Sequence, residues 1–236
     1  MRKITERILD LIYPRRCVMC DKLLVPKEIG ICRACEPKIQ MTSEPYCMKC
    51  GKVLEKEESE YCKDCLLHPH AFERGRSLFV YDGPVKGSLY RFKYGGRKEY
   101  AKVYAHLTES RLGEYIKEIQ PQALVPVPLH RKRYRMRGYN QSEVFARQLG
   151  RRMSIPVASK MAWRVKNTLP QKELDLADRQ NNLKKAFKIK GNDVKLSTII
   201  IIDDIYTTGS TIDALALALR EAGVQNIFFL TISGGR

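Results

Sequence analysis

Hydrophobic positions along the chain change their rhythm near residue 72. Beyond it, short apolar runs alternate with stretches in which apolar residues recur every three or four positions. Residues 78–81 form an apolar run of strand length. Tyr100–Ile119 carries Val103, Tyr104, Leu107, Leu112, Tyr115 and Ile116 at helical spacing and is stopped by Pro121. Residues 123–129 predict a strand with irregular ends, because Pro126 and Pro128 lack the amide donors of a ladder. Residues 142–153 predict a helix with Val144, Phe145 and Leu149 on one face, capped by Ser142 or Asn140. Residues 196–202 are almost wholly aliphatic, which predicts a central strand covered on both faces. Residues 210–222 predict a helix closed by Gly223, and residues 227–232 a last strand. Strands alternating with helices of this length predict an α/β fold with a parallel or mostly parallel sheet.

Before residue 72 large apolar side chains thin out and cysteines take over. Ile4, Ile8, Leu9, Leu11 and Ile12 have partly helical spacing that Pro14 ends, which suits a short helix packed on a neighbouring module. All eight cysteines follow as four C-x-x-C pairs, Cys17/Cys20, Cys32/Cys35, Cys47/Cys50 and Cys62/Cys65, each starting 15 residues after the last. Core thiols have no reason to repeat at that interval, and a thioredoxin-like reading needs one such pair at a helix start. Four pairs supply two tetrahedral thiolate sites with no cysteine left over. Zinc is the expected ion, with mononuclear iron the alternative for the same donors. A four-cysteine site has no open position, so it is structural, and metal binding supplies much of the folding energy of so small a core. Consecutive pairs can share an ion, or the pairs can interleave in a cross-braced arrangement. The expected organisation is a metal-binding module over residues 1–71 and an α/β domain over residues 72–236.

Lys and Arg total 43 against 26 Asp and Glu, a formal net charge of +17. Eight thiolates holding two dications lower this by only four. The chain therefore fits a polyanionic partner such as nucleic acid, a phosphorylated ligand or an anionic membrane surface. Hydrophobic residues at 44% exclude a fully disordered chain. No run of 18 apolar residues exists for a membrane span. Charges at Arg2, Lys3, Glu6, Arg7 and Asp10 interrupt any secretory leader, so a cytoplasmic chain is expected.

The sharpest chemistry lies where the central strand ends and a helix opens, at Ile202-Asp203-Asp204-Ile205-Tyr206-Thr207-Thr208-Gly209-Ser210-Thr211. Open α/β sheets bind ligands outside the carboxyl ends of their strands. The hydroxyls of Thr207, Thr208, Ser210 and Thr211, the close approach that Gly209 permits and the free amides of a helix start all suit a phosphate. Two adjacent carboxylates would repel a bare phosphate. They make sense gripping the hydroxyls of a sugar that carries it, with a divalent cation nearby. The run is neither a Walker A loop, since no G-K-[ST] follows the glycine, nor a G-x-G-x-x-G dinucleotide fingerprint.

This run closely resembles the phosphoribosyl pyrophosphate (PRPP) motif of type I phosphoribosyltransferases. The resemblance implies that fold, with Asp203 and Asp204 as the catalytic pair on the ribose hydroxyls. It implies Tyr206, Thr207, Thr208, Gly209, Ser210 and Thr211 around the 5′-phosphate, and magnesium accompanying PRPP. It also implies a pyrophosphate-holding loop at Leu129, His130, Arg131 and Lys132, and a hood over residues 167–187 from which Arg179 reaches phosphate. With the cysteine-rich module ahead of it, the chain resembles the ComF/ComFC competence family along nearly its whole length. Further landmarks are Phe92-Lys93-Tyr94, Pro126-Val127-Pro128-Leu129, Arg137-Gly138-Tyr139-Asn140-Gln141-Ser142, and Gln171 with Arg179 and Asn182. That resemblance implies support of DNA uptake in natural transformation through handling of incoming single-stranded DNA, in company with DNA-uptake or recombination proteins.

Basic residues cluster twice more. Residues 130–152 set Arg131, Lys132, Arg133, Arg135, Arg137, Arg147, Arg151 and Arg152 against Glu143 alone. Cations that meet a departing pyrophosphate lower the barrier to its loss. With Tyr134 and Tyr139 interleaved, Arg133, Arg135 and Arg137 are also candidate contacts for single-stranded DNA, or simply a solvated face. Arg91, Lys93, Arg97 and Lys98 around Gly95-Gly96 read as an exposed basic turn or as a border of the site. Of four histidines only His130 falls where chemistry is expected; His68 and His70 read as linker residues and His106 as ordinary surface. Trp163 reads as a core anchor, with base stacking as the alternative. Three functions are consistent with these features. A magnesium-dependent transferase using PRPP needs an acceptor pocket. A non-catalytic sensor of PRPP or a nucleotide needs only the acids and the loop. A DNA-binding accessory protein needs binding that falls steeply with salt.

Overall fold

The aliphatic run at Ile199–Ile202 becomes the buried middle of a parallel sheet. A computed structural model describes residues 14–25, 28–56, 58–165, 186–190 and 195–235. In chain order the elements are α1 (Lys63–Leu67), β1 (Gly75–Val80), α2 (Gly83–Tyr94), α3 (Tyr100–Ile119), β2 (Ala123–Pro126), α4 (Arg131–Arg137), α5 (Gln141–Met153), β3 (Ala162–Arg164), β4 (Phe187–Ile189), β5 (Thr198–Tyr206), α6 (Ser210–Glu221) and β6 (Asn226–Gly234). The sheet runs β1-β6-β5-β2 with every pair parallel. Strand alternation divides β5 between two cores. Ile200 and Ile202 pack with Tyr104 of α3 and Phe145 and Leu149 of α5; Ile199 and Ile201 pack with Leu215 and Leu219 of α6. Both sheet edges are covered, as soluble edges require. Thr42 donates to the Leu78 carbonyl and Val80 to that of Gln40 on the β1 side, and Leu124 bridges Val157 on the β2 side.

The cysteine-rich module folds as one pattern used twice, 30 residues apart. Cys17 N donates to Lys22 O, Asp21 N to Cys17 O, Leu24 N to Arg15 O and Val18 N to Gly30 O. The same four bonds recur as Cys47 to Lys52, Gly51 to Cys47, Leu54 to Pro45 and Met48 to Glu60. Both knuckles turn through a left-handed residue, Asp21 at φ 65° and Gly51 at φ 73°. Each knuckle enters the α/β core. Cys17, Val18 and Met19 are buried with Leu89, Phe92 and Tyr104, while Cys47 and Cys50 are buried with Phe72, Tyr206 and Phe229. Asp21 ties the first knuckle down, accepting from Arg97 at 2.6 Å and from the Tyr100 hydroxyl at 2.7 Å. Ser88 and Arg91 of α2 donate to the Val18 and Met19 carbonyls.

Several expectations needed correction. The central strand is longer than the aliphatic run: β5 continues through both acids to Tyr206, because β6 pairs with it as far as Gly234. β2 stops at Pro126, although Val127 N still reaches Ile202 O at 2.9 Å. Arg91 and Lys93 lie on α2, which Gly95 ends, rather than in a turn. Trp163 is 45% exposed on β3 and anchors no core. The expected N-terminal helix at residues 4–12 lies outside the described residues. So do Gln171, Arg179 and Asn182 and most of the expected hood; the chain leaves on β3 and returns on its antiparallel partner β4, with Arg164 opposite Phe187. Among the described residues no helix is long and apolar enough to cross a membrane.

Candidate functional site

Asp203 and Asp204 hold the end of β5 and are 8% and 5% exposed. Ser142 Oγ donates to Asp203 Oδ1 at 2.8 Å, and Asp204 N donates to the same oxygen at 2.9 Å. Lys93 of α2 places its Nζ 2.5 Å from Asp204 Oδ2. Burial pushes the Asp203 carboxyl up to about 6, against the Ser142 hydrogen bond and the charges of Lys93, Arg164 and Arg137. Burial likewise pushes Lys93 down to about 8; Asp203 opposes that shift, and Arg137 and Arg133 add to it. Arg164 of β3 is lowered by burial and by Arg133, with Asp203 opposing. Three cations, Lys93 of α2, Arg137 of α4 and Arg164 of β3, thus act on the Asp203 carboxylate, and Lys93 also pairs with Asp204. Such a pocket keeps its acids in place and still carries surplus positive charge for a polyanion.

The loop that follows is shaped by one contact. Gly209 has φ 79°, and a Cβ there would lie 2.7 Å from the Tyr206 hydroxyl, so only glycine turns the chain into α6 at this place. Tyr206 is buried, stacked on Phe229 at 4.7 Å and 8°. Thr207 and Thr208 face solvent, and Thr208 Oγ1 bonds Ser210 Oγ at 3.1 Å. Residues 205–207 and 209–212 line a small open cavity at the helix start. The first-turn amides of α6 therefore point toward an accessible space.

The other expected residues divide. Leu129, His130, Arg131 and Lys132 follow β2, the neighbour of β5, and lead into α4, which the sequence did not announce. His130 is its N-cap, its Nδ1 accepting from Lys132 N at 3.3 Å. Arg137 donates to Gln141 Oε1 at 2.9 Å and to the Tyr94 hydroxyl at 2.8 Å, with its guanidinium 4.7 Å from the centre of the Tyr94 ring. Tyr134 and Arg135 are exposed and Arg133 is half-buried. Tyr139 is buried and donates its hydroxyl to Phe92 O, so its ring belongs to the core and is closed to a base. Sequence reasoning missed what Ser142 and Arg164 do. Of the two expected caps Asn140 is the one that caps α5, and Ser142 is left to hold Asp203.

The metal centres resolve the choice left open by the cysteine spacing. The ligand atoms of Cys17, Cys20, Cys32 and Cys35 lie within 4.8 Å of one another, as do those of Cys47, Cys50, Cys62 and Cys65. Consecutive pairs therefore share a site, and cross-bracing is excluded. A tetrahedral ion with Zn–S of about 2.3 Å holds its sulfurs about 3.8 Å apart. Cys20 and Cys32, and likewise Cys50 and Cys62, stand 3.7 Å apart. The donor sets fit two structural zinc ions.

An α/β domain with a four-stranded parallel sheet, joined to two tetracysteine ribbons, is the class that this geometry defines. Residues 8–66 match the family described as a double zinc ribbon domain. Over 217 residues the chain is 32% identical to Competence protein F of Haemophilus influenzae, covering 90% of this chain and 93% of that one. It is 30% identical over 220 residues to the DNA utilization protein YhgH of Escherichia coli K12, covering 92% and 96%. It is 28% identical over 234 residues to Competence protein ComFC of Bacillus subtilis, covering 90% and 91%. The chain belongs to the competence protein F family.

Proposed function

We propose that the chain binds PRPP or a closely related 5-phosphoribosyl ligand where β5 meets α6, and that this site serves the handling of single-stranded DNA during its uptake or utilisation. One observation carries the ligand: two buried adjacent carboxylates lie near the carboxyl end of the central strand, and a glycine-turned, hydroxyl-rich helix start follows it. In this reading ribose hydroxyls donate to Asp203 and Asp204 and take over the role of Lys93, while the loop of residues 206–211 receives the 5′-phosphate. Lys93, Arg131 and Lys132 are the cations available to pyrophosphate. When magnesium is bound with PRPP, it neutralises pyrophosphate charge. The names of the relatives, competence and DNA utilization, support the DNA role. Replacing Asp203 and Asp204 together by Asn is expected to weaken PRPP binding by a factor of about 100, roughly 2.7 kcal/mol, in calorimetry with magnesium present. Unchanged affinity overturns the ribose assignment.

A second ligand surface is favoured by α4, which exposes Tyr134 at 50% and Met136 at 67% beside Arg135. An exposed aromatic between cations suits stacking on bases along a phosphate backbone. Tyr134→Ala with Arg135→Ala is expected to weaken a single-stranded oligonucleotide at low salt while leaving PRPP affinity unchanged. An identical titration for the variant and the parent removes α4 from the DNA surface.

A further inference from the structure

A cavity of about 380 Å³ opens against β1, two strands away from β5, and shares no residue with the Gly209 loop. Its walls are the segment between the two ribbons, the start of β1 and the second half of α3. Its charged lining is Arg74, Arg76 and Arg111, with Glu44 and Glu118. Arg76 is only 5% exposed. Its guanidinium lies 4.0 Å from the centre of the Tyr46 ring and 5.2 Å from that of Tyr115, and Arg74 approaches the same Tyr115 ring at 5.8 Å. The only hydrogen bond that the Arg76 side chain donates among the described residues goes to the neighbouring Gly75 carbonyl. None of the three arginines forms an ion pair among the described residues. The Tyr115 hydroxyl, in the same lining, is buried without a hydrogen-bond partner among the described residues.

Two guanidinium groups gathered on one ring repel each other, and a buried cation without an anion is costly. Stacking on Tyr46 and Tyr115 offsets part of that cost. A phosphate group offsets the rest, since guanidinium forks match its oxygens in pairs and a tyrosine hydroxyl supplies a further donor. We infer that this cavity is a second anion site, which takes the phosphate of a small phosphorylated ligand independently of the Gly209 loop. Its volume lies at the lower end of those that small-molecule sites have. Glu44 and Glu118 of this lining are exposed and repel a polyanionic strand running past, while Arg76 is buried and reachable only by a compact terminal group.

The test is calorimetry of the full chain with inorganic phosphate, in a Ser210→Asp background whose added carboxylate closes the other phosphate loop. Saturable binding is expected there, falling at least tenfold when Arg74→Ala and Arg111→Ala are added. Arg76→Lys keeps the charge but loses the fork, and is expected to cost at least fivefold. Melting temperatures without phosphate should hold or rise in the Arg74→Ala and Arg111→Ala protein, because like charges have been separated. A single-stranded oligonucleotide titrated into the same proteins separates the two sources of phosphate, and its affinity should ignore the Arg76→Lys change. The proposal is overturned if the Ser210→Asp protein shows no binding of phosphate, if phosphate affinity ignores the arginine changes, or if Arg76→Lys weakens the oligonucleotide as much as the phosphate.

Discussion

Asp203 sits between burial, which favours its neutral form, and a ring of cations, which favours its charge. With its carboxyl raised to about 6, the folded protein keeps a proton that the unfolded chain has already lost above its ordinary value of 3.8. The free protein therefore loses stability through this group as pH climbs from about 4 to about 6, by ~3 kcal/mol. Urea unfolding of wild type and Asp203→Asn across that window is expected to diverge by that amount. A ligand that needs the carboxylate gains affinity over the same rise, about fivefold between pH 5 and pH 6 and about twofold more by pH 7, where it levels off. Ser142→Ala removes the one side-chain hydrogen bond that favours the charge, so the midpoint of that binding profile moves to higher pH. Lys93→Met leaves Asp204 buried without its cation and is expected to cost about 3 kcal/mol in urea unfolding at pH 7, given that the pair is mostly shielded from water. At this scale the acids and the loop were legible because they are neighbours in the chain. Lys93, Ser142 and Arg164 reach them from three distant segments, and no local pattern marks such a meeting.

Elements were legible where they carry an apolar stripe. Tyr100–Ile119 was read to the residue because its buried face repeats at helical spacing. The seven residues of α4 are nearly all basic and none is buried, so periodicity had nothing to register; His130 and the left-handed Gly138 at φ 75° define it instead. α2 was hidden by Gly83, Pro84 and Gly87 in its first turns. The two knuckles show how one turn tolerates different residues. Gly51 takes the left-handed position freely, whereas Asp21 occupies it while bonding Arg97 and Tyr100. Asp21→Ala and Asp21→Gly both lose those bonds, but alanine also carries left-handed strain. The alanine variant is expected to be less stable than the glycine variant by about 1 kcal/mol in denaturant unfolding.

At the scale of the molecule the ribbons act as plugs in the α/β core rather than as appendages. Cys17, Val18, Cys47 and Cys50 are fully buried against it. Zinc removal by a chelator should therefore lower the melting temperature of the sheet, followed by circular dichroism, and not only unfold the ribbons. Cys35→Ser or Cys65→Ser should each reduce bound zinc from two equivalents to one by elemental analysis. What the sequence determined by itself was the class of fold, the two four-thiolate sites and where the paired acids and the glycine-turned loop fall between the central strand and the next helix. Each of these depends on residues close in the chain or on a period that geometry imposes. Tertiary structure decided which cysteines share an ion and that Tyr139 faces the core while Tyr134 faces water. It also brought Lys93 and Ser142 to the acids and gathered Arg74 and Arg76 on the Tyr115 ring. Those outcomes depend on how helices and ribbons pack across the sheet, where contacts between residues dozens of positions apart are fixed by the shape of the whole core and leave no period in the chain.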